Sequence, residues 1–379
     1  MNDYLFTSQS VAEGHPDKMA DQIADAILDA VLLQDPEGKV ACNCLIKTGV
    51  VIVAADISTH AAIDIEQIVR STIKETGFDH SRLGFDGTTC AVLNITGKPS
   101  SVAHGDGAQE LTAGEQAIAF GYACSETPEL MPAAQLYAHR LMARQAELRK
   151  SRRLPFLLPD ASSMVTLRYQ DGRVHSLDSV LLSTQHSPDI SLDVLREAVT
   201  EEIIKPVMPA RWLTPQTRYL VNPAGRFITG GPAARCGLSG HQTIVDSYGG
   251  ACRHGGGVFS GRDPSKIDRA AAYAARYIAK NIVAAGLASR CEIELCWADG
   301  LPRPLLISIH TFGTHTLSLE ALQRSVHRHF DLSLCHIISM LDLLVPRYRK
   351  TACYGHFGRD GFPWEITDKA ALLREDARR

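Results

Sequence analysis

Between Pro16 and Gln34 the apolar residues Met19, Ile23, Ile27 and Val31 recur at every fourth position, the spacing of one face of an α-helix. Asp17, Asp21, Asp25 and Asp29 recur at the same interval on another face. The period then changes. "KVACNCLIKTGVVIVAADIS" predicts two strands joined at Thr48-Gly49. Residues 65–76 predict an amphipathic helix stopped by Gly77, and "TTCAVLNIT" predicts a further strand.

The pattern continues with a helix over Ala133–Lys150, a hairpin over 164–184 turning at Asp171-Gly172, and a helix over 192–205. The last third predicts a helix over 264–287, strands over 291–298 and 305–311, and a helix over Leu319–His329. Residues 97–114, rich in Gly, Ser and Ala and without a steady period, predict a mobile loop. Hairpins interrupt any βαβ alternation, so the pattern points to an α+β class with antiparallel or mixed sheets. The chain divides into an N-terminal part (1–100), a central part (110–229) and a C-terminal part (230–372), each of ordinary domain size.

Composition narrows the function classes. With 39 Lys+Arg against 42 Asp+Glu, the net charge of −3 offers no broad surface for nucleic acid or an anionic membrane. No apolar run reaches the ~18 residues of a membrane-spanning helix, and the first residues lack an apolar signal core. The ten cysteines form no C-x-x-C pair, and most fall in apolar runs. A cytoplasmic protein with free thiols is expected.

Three clusters carry candidate chemistry. Glu13-Gly14-His15-Pro16-Asp17-Lys18 opens the first long helix, with Pro16 fixing its first turn. It reads as a phosphate-contacting or general-acid histidine beside a magnesium carboxylate, or as an ordinary helix cap. "NPAGRFITGG" (222–231) sets Arg226 and the Phe227 ring among glycines, which suits stacking of a flat base and equally suits a turn. "HGGGVFSGRDPSK" (254–266) combines Gly255–257 with Arg262 and Lys266, followed by Asp268. A glycine loop leading into a helix N-terminus suits an anion, and a plain glycine-rich turn is the alternative.

Taken together, "LFTSQSVAEGHPDKMADQIADAILDA", "NPAGRFITGGP", "HGGGVFSGRDPSKID" and "CYGHFGRDGFPWE" resemble the S-adenosylmethionine synthetase family nearly end to end. The resemblance implies three similar α+β subdomains about a pseudo-threefold axis, and a homodimer or homotetramer with sites between subunits. It implies attack of methionine sulfur on C5′ of ATP with loss of the triphosphate, assisted by Mg2+ and K+. His15, Lys266 and Arg262 then stand at catalytic positions, and Asp160, Arg226 and Phe227 at nucleotide-binding positions. Asp17 and Asp268 stand at metal positions, and 97–114 at the gating loop.

Several family positions differ. Ser162, His241 and Gln242 stand where the family pattern has Lys, Arg and Lys, so of five expected cations only Arg262 and Lys266 remain. Arg235 replaces an aspartate, Asn43 the potassium-binding glutamate, Asp56 a glutamate and Pro99 a glutamine; "TAGEQA" (112–117) carries Glu115 for an aspartate. Three readings follow from the resemblance: a weakened ATP–methionine adenosyltransferase, an enzyme repurposed for another adenosyl compound or nucleophile, or an inactive or regulatory subunit paired with an active synthetase.

Overall fold

One order of elements, strand–helix–strand–strand–helix–strand, occurs twice in the computed structural model, which describes residues 3–98 and 111–378, and a third time without its last strand. The first round is β1 (Tyr4–Val11), α1 (Pro16–Gln34), β2 (Lys39–Lys47), β3 (Val50–Ser58), α2 (Ile65–Glu75) and β4 (Ala91–Gly97). The second is β5 (Ala117–Cys124), α3 (Ala133–Lys150), β6 (Leu157–Gln170), β7 (Arg173–His186), α4 (Leu192–Val199), a short α5 (Lys205–Val207) and β8 (Arg218–Val221). The third is β9 (Gly237–Leu238), a short α6 (Thr243–Asp246), α7 (Ile267–Ala284), β10 (Arg290–Trp297), β11 (Leu306–His310) and α8 (Leu319–His329). Two further helices follow, α9 (Leu334–Met340) and α10 (Ala370–Asp376).

No round completes its own sheet. The sheet orders are β4-β3-β2-β9, β8-β7-β6-β1 and β11-β10-β5. The opening strand of each round therefore pairs with the first hairpin strand of a different round. β1 runs antiparallel to β6 from Tyr4 opposite Tyr169 to Val11 opposite Ser162, and β5 pairs with β10 along its whole length. β9 is only a two-residue link, Leu238 opposite Leu45 and Gly237 opposite Ile46. The exchange covers one edge of each sheet and ties the three parts together in a ring. With β3–β4 and β7–β8 parallel, two sheets are mixed and the β11-β10-β5 sheet is antiparallel, in keeping with the α+β expectation.

The acidic stripe of α1 is an internal anchor. Asp17 accepts from Leu238 N (2.9 Å), Asp21 from Gly240 N (2.7 Å) and Asp25 from Gly261 N (2.8 Å). Asp29 accepts from Tyr348 N and Arg349 N, both at 2.9 Å. The stripe thus holds three segments of the C-terminal part, at 238–240, at Gly261 and at 348–349. Asp25 also receives a two-pronged contact from Arg269, both bonds 2.9 Å with both side chains fully buried. The apolar stripe (Met19, Ile23, Ile27, Val31) is buried in the core shared with β2 and β3.

Two helices differ from their expected bounds. The 192–205 segment stays helical only to Val199 and then widens into a π-turn over Thr200–Ile204. Pro206 follows it; its ring crowds the carbonyl four residues back and it has no N–H to give. The helix expected from 264 begins at Ile267, because Asp263 closes a tight turn first, accepting from Ser265 N (2.8 Å) and Ser265 Oγ (2.6 Å). Lys266 becomes its N-cap residue.

Candidate functional site

Gly14 brings the first cluster together. A Cβ there would lie 2.5 Å from the Pro159 backbone, so the residue is required by close approach of the strand that carries Asp160. His15 caps α1, its Nδ1 accepting from Asp17 N at 3.3 Å. Burial lowers the His15 pKa against the pull of Asp160 and so disfavours its charged form. Asp160 is fully buried; its Oδ2 accepts from Gly231 N (2.8 Å) and pairs with Arg235 Nη2 (3.3 Å), while Oδ1 has no partner among the described residues.

The substituted positions lie in this cluster. Besides Leu238 N on Oδ1, Asp17 receives Gln242 Nε2 (2.7 Å) and His241 Nδ1 (3.2 Å) on Oδ2. Ser162, half-buried on β6 opposite Val11 and Ser183, shares a strand face with Asp160 and brings no charge. Lys18 is the nearest buried cation, but its ammonium is committed to Asp21 (2.7 Å) and Asp246, which hold it charged.

Arg226 and Phe227 lie just upstream of Gly231. Asn222, in a left-handed conformation (φ 43°), bonds Thr184 through both ends of its amide (2.8 and 3.0 Å). Phe227 O accepts from His186 N and Phe227 N donates to the His186 imidazole Nε2, the Phe227 side chain staying half-buried, and Arg226 reaches Pro188 O from an exposed position.

The 254–268 loop forms a second cluster. Its glycines answer to packing: a Cβ on Gly255 would strike Ile118 O at 1.5 Å, one on Gly257 would strike Asp268 Oδ1 at 2.5 Å, and Gly256 has φ 85°. Arg262 bonds Cys42 O and Asn43 Oδ1, both at 3.0 Å. Lys266 has no ion-pair partner among the described residues. Burial and then Glu115 push the Asp268 carboxyl up. Asp17 and Asp268, the two metal positions expected from the resemblance, lie in different clusters within one chain. Along β2, Leu238 stands opposite Leu45 and Arg262 bridges Ala41; four strand residues separate these points by about 13 Å. Among the described residues, no group of three or more His, Cys, Asp or Glu is arranged to hold a metal ion.

Sequence reasoning missed the pairing of Arg235 with Asp160 and the docking of His241 and Gln242 on Asp17. The signal was available as three substitutions within eight residues (235–242), which turned out to face carboxylates of α1 and β6. Pro99 and most of the 97–114 segment lie outside the described residues.

This architecture of three interlocked α+β units agrees with the family comparison. The chain matches the S-adenosylmethionine synthetase N-terminal domain over residues 3–101, the central domain over 110–227 and the C-terminal domain over 229–366. It belongs to the S-adenosylmethionine synthetase family.

Proposed function

We propose that the chain is an adenosyl-handling member of this family in which transfer of the adenosyl group of ATP to methionine is strongly weakened. In that reaction an S–C5′ bond forms, the C5′–O bond breaks, and the electron pair leaves on the triphosphate. The step needs fixed positive charge at the departing oxygen. Losing one such preorganised donor costs about 3–4 kcal/mol, or roughly 10²–10³ in rate, and the losses need not add.

One observation carries the reading: the Asp17 carboxylate is taken up by Gln242 and His241, where the family pattern has two cations. The expected ion positions do not fit their ions. Asp17 has donors on both oxygens, which leaves it poorly suited to Mg2+. At Asn43, the position of the K+ ligand, the side-chain oxygen already accepts from a guanidinium. What remains supports adenosyl recognition: Asp160 on its rigid strand, the half-buried Phe227 ring and the exposed Arg226.

Arg262 and Lys266 lie in the other cluster, so a site using both clusters at close range calls for a second copy. The open sheet faces support a homodimer or homotetramer, since Leu93, Ile95 and Leu238 are 49%, 62% and 45% exposed on β4 and β9. No helix among the described residues is long and apolar enough to cross a membrane.

The test is purified protein with ATP, methionine, Mg2+ and K+, read by mass spectrometry for S-adenosylmethionine. Slow product formation, orders of magnitude below ordinary enzyme turnover, is expected. Vigorous turnover overturns the proposal, and no product together with co-purification of an active synthetase points to a regulatory subunit.

A further inference from the structure

Next to its link with β9, the edge of β2 is closed by the glycine-rich loop. Val40 N donates to Asp263 Oδ2 (2.8 Å), Asp263 N to Val40 O (3.0 Å) and Cys42 N to Gly261 O (2.9 Å), and Ala41 bridges Arg262. Gly261 allows this approach: it has φ 76°, and a Cβ there would lie 2.2 Å from Cys42 O. The Arg262 side chain reaches along the strand and gives Nη1 to Cys42 O and Nη2 to Asn43 Oδ1, both at 3.0 Å.

The oxygens at this corner therefore have donors from the chain itself. Besides Cys42 O and Asn43 Oδ1, Gly261 O takes Cys42 N, and Arg262 O takes Arg269 Nη1 (3.0 Å). A K+ ion needs several oxygens turned toward one point, and the lone pairs here are turned toward N–H groups. It would also meet a permanently charged guanidinium at short range, a like-charge contact that disfavours the ion.

The charge at the corner balances without the ion. The resemblance sets a glutamate, a K+ and a lysine here, with one net positive charge between them. Asn43 and Arg262 carry the same net charge. The amide removes the carboxylate that calls for an ion, and the guanidinium keeps the positive charge. Its planar fork also serves two oxygens of neighbouring residues at once, which the point charge of an ammonium does not.

We infer that the Arg262 guanidinium is a tethered replacement for the monovalent cation, and that the chain neither takes up nor responds to K+. Arg262 is thereby a positioning residue. It fixes the 254–266 loop on β2, and with it Lys266 and Asp268 at the start of α7. The inference concerns the loop and not the leaving group, so it stands apart from the weakened-transfer reading.

The experiment is thermal unfolding of the full chain in potassium, sodium and tetramethylammonium chloride at one ionic strength, where an ion held by the folded state raises the midpoint. The natural chain should give midpoints within about 1 °C of one another in the three salts. Asn43→Glu/Arg262→Ala supplies a carboxylate and clears Cys42 O of the guanidinium. It should melt below the natural chain in tetramethylammonium and rise by at least about 3 °C in K+. Asn43→Glu alone keeps the guanidinium and should show no K+ selectivity. If the double variant folds in none of the salts, Asn43→Glu/Arg262→Gln, which keeps an amide donor for Cys42 O, is measured in the same way. A K+-selective rise in the natural chain overturns the inference. A folded double variant that ignores K+ also overturns it and reduces Arg262 to a loop clasp. S-adenosylmethionine formation in the same salts separates the two readings. Vigorous turnover equal in all three overturns weakened transfer alone, whereas turnover that requires K+ overturns the tethered cation.

Discussion

At single residues, positions where the family pattern has cations or an aspartate are engaged in internal pairing. Arg235 and Gln242 each give one donor to a buried carboxylate, and the difference between a substrate-binding cation and an internal clasp lies only in what faces it. That was illegible in the sequence, because charge and type are written there but the facing partner is 75 or 225 positions away. Asp25 and Arg269 give the corresponding structural case. Burial pushes the Asp25 carboxyl up to about 6 against the pull of Arg269, so the pair is ionised at neutral pH at some desolvation cost. Arg269→Met should destabilise the fold by about 3–5 kcal/mol by leaving Asp25 uncompensated, while Asp25→Asn/Arg269→Met together should recover most of it. Urea unfolding at pH 7 measures both; equal losses in the single and double variants would mean the pair is not coupled.

At the scale of elements, periodicity carried far. Three helices, Pro16–Gln34, Ala133–Lys150 and Leu319–His329, have the bounds their patterns predict, because caps and apolar spacing are local. Strand exchange between rounds is non-local and left no mark in the pattern. Gly121 records it: a Cβ there would lie 2.0 Å from the Ala275 backbone, where β5 presses on α7. Gly121→Ala should therefore lower the thermal midpoint by several degrees, whereas Gly172→Ala, at an open hairpin turn with φ 76°, should cost only the backbone strain. The α3–β1 contact has a pH signature. His139 on α3 is buried, its Nδ1 on Ser10 Oγ and its Nε2 on the Gln135 amide, each 2.8 Å, and burial lowers its pKa to about 3. The unfolded chain protonates this histidine near pH 6.5 and the folded chain does not. Its contribution is thus present above the unfolded pKa and lost as pH falls toward 3, at about 1.4 kcal/mol per pH unit. In His139→Gln the fall in stability between pH 6.5 and 5 should be shallower by that amount, as followed by urea unfolding at each pH; an unchanged slope would place the titration elsewhere.

On the scale of the whole molecule, the chain matches all three domains of the family, and the substitutions at the expected ion and phosphate positions carry the proposed weakening. The ring of exchanged strands holds the three parts together independently of any ligand, which lets the site change without loss of fold. The most direct test restores the charge. Ser162→Lys/His241→Arg/Gln242→Lys returns three cations and replaces the His241 and Gln242 donors on Asp17 with permanently charged side chains. With S-adenosylmethionine formation from Mg2+, ATP and methionine measured side by side, the account predicts that the triple variant exceeds the natural chain by at least about 100-fold, the effect of one or more recovered donors. A natural chain that already matches its folded triple variant would contradict it.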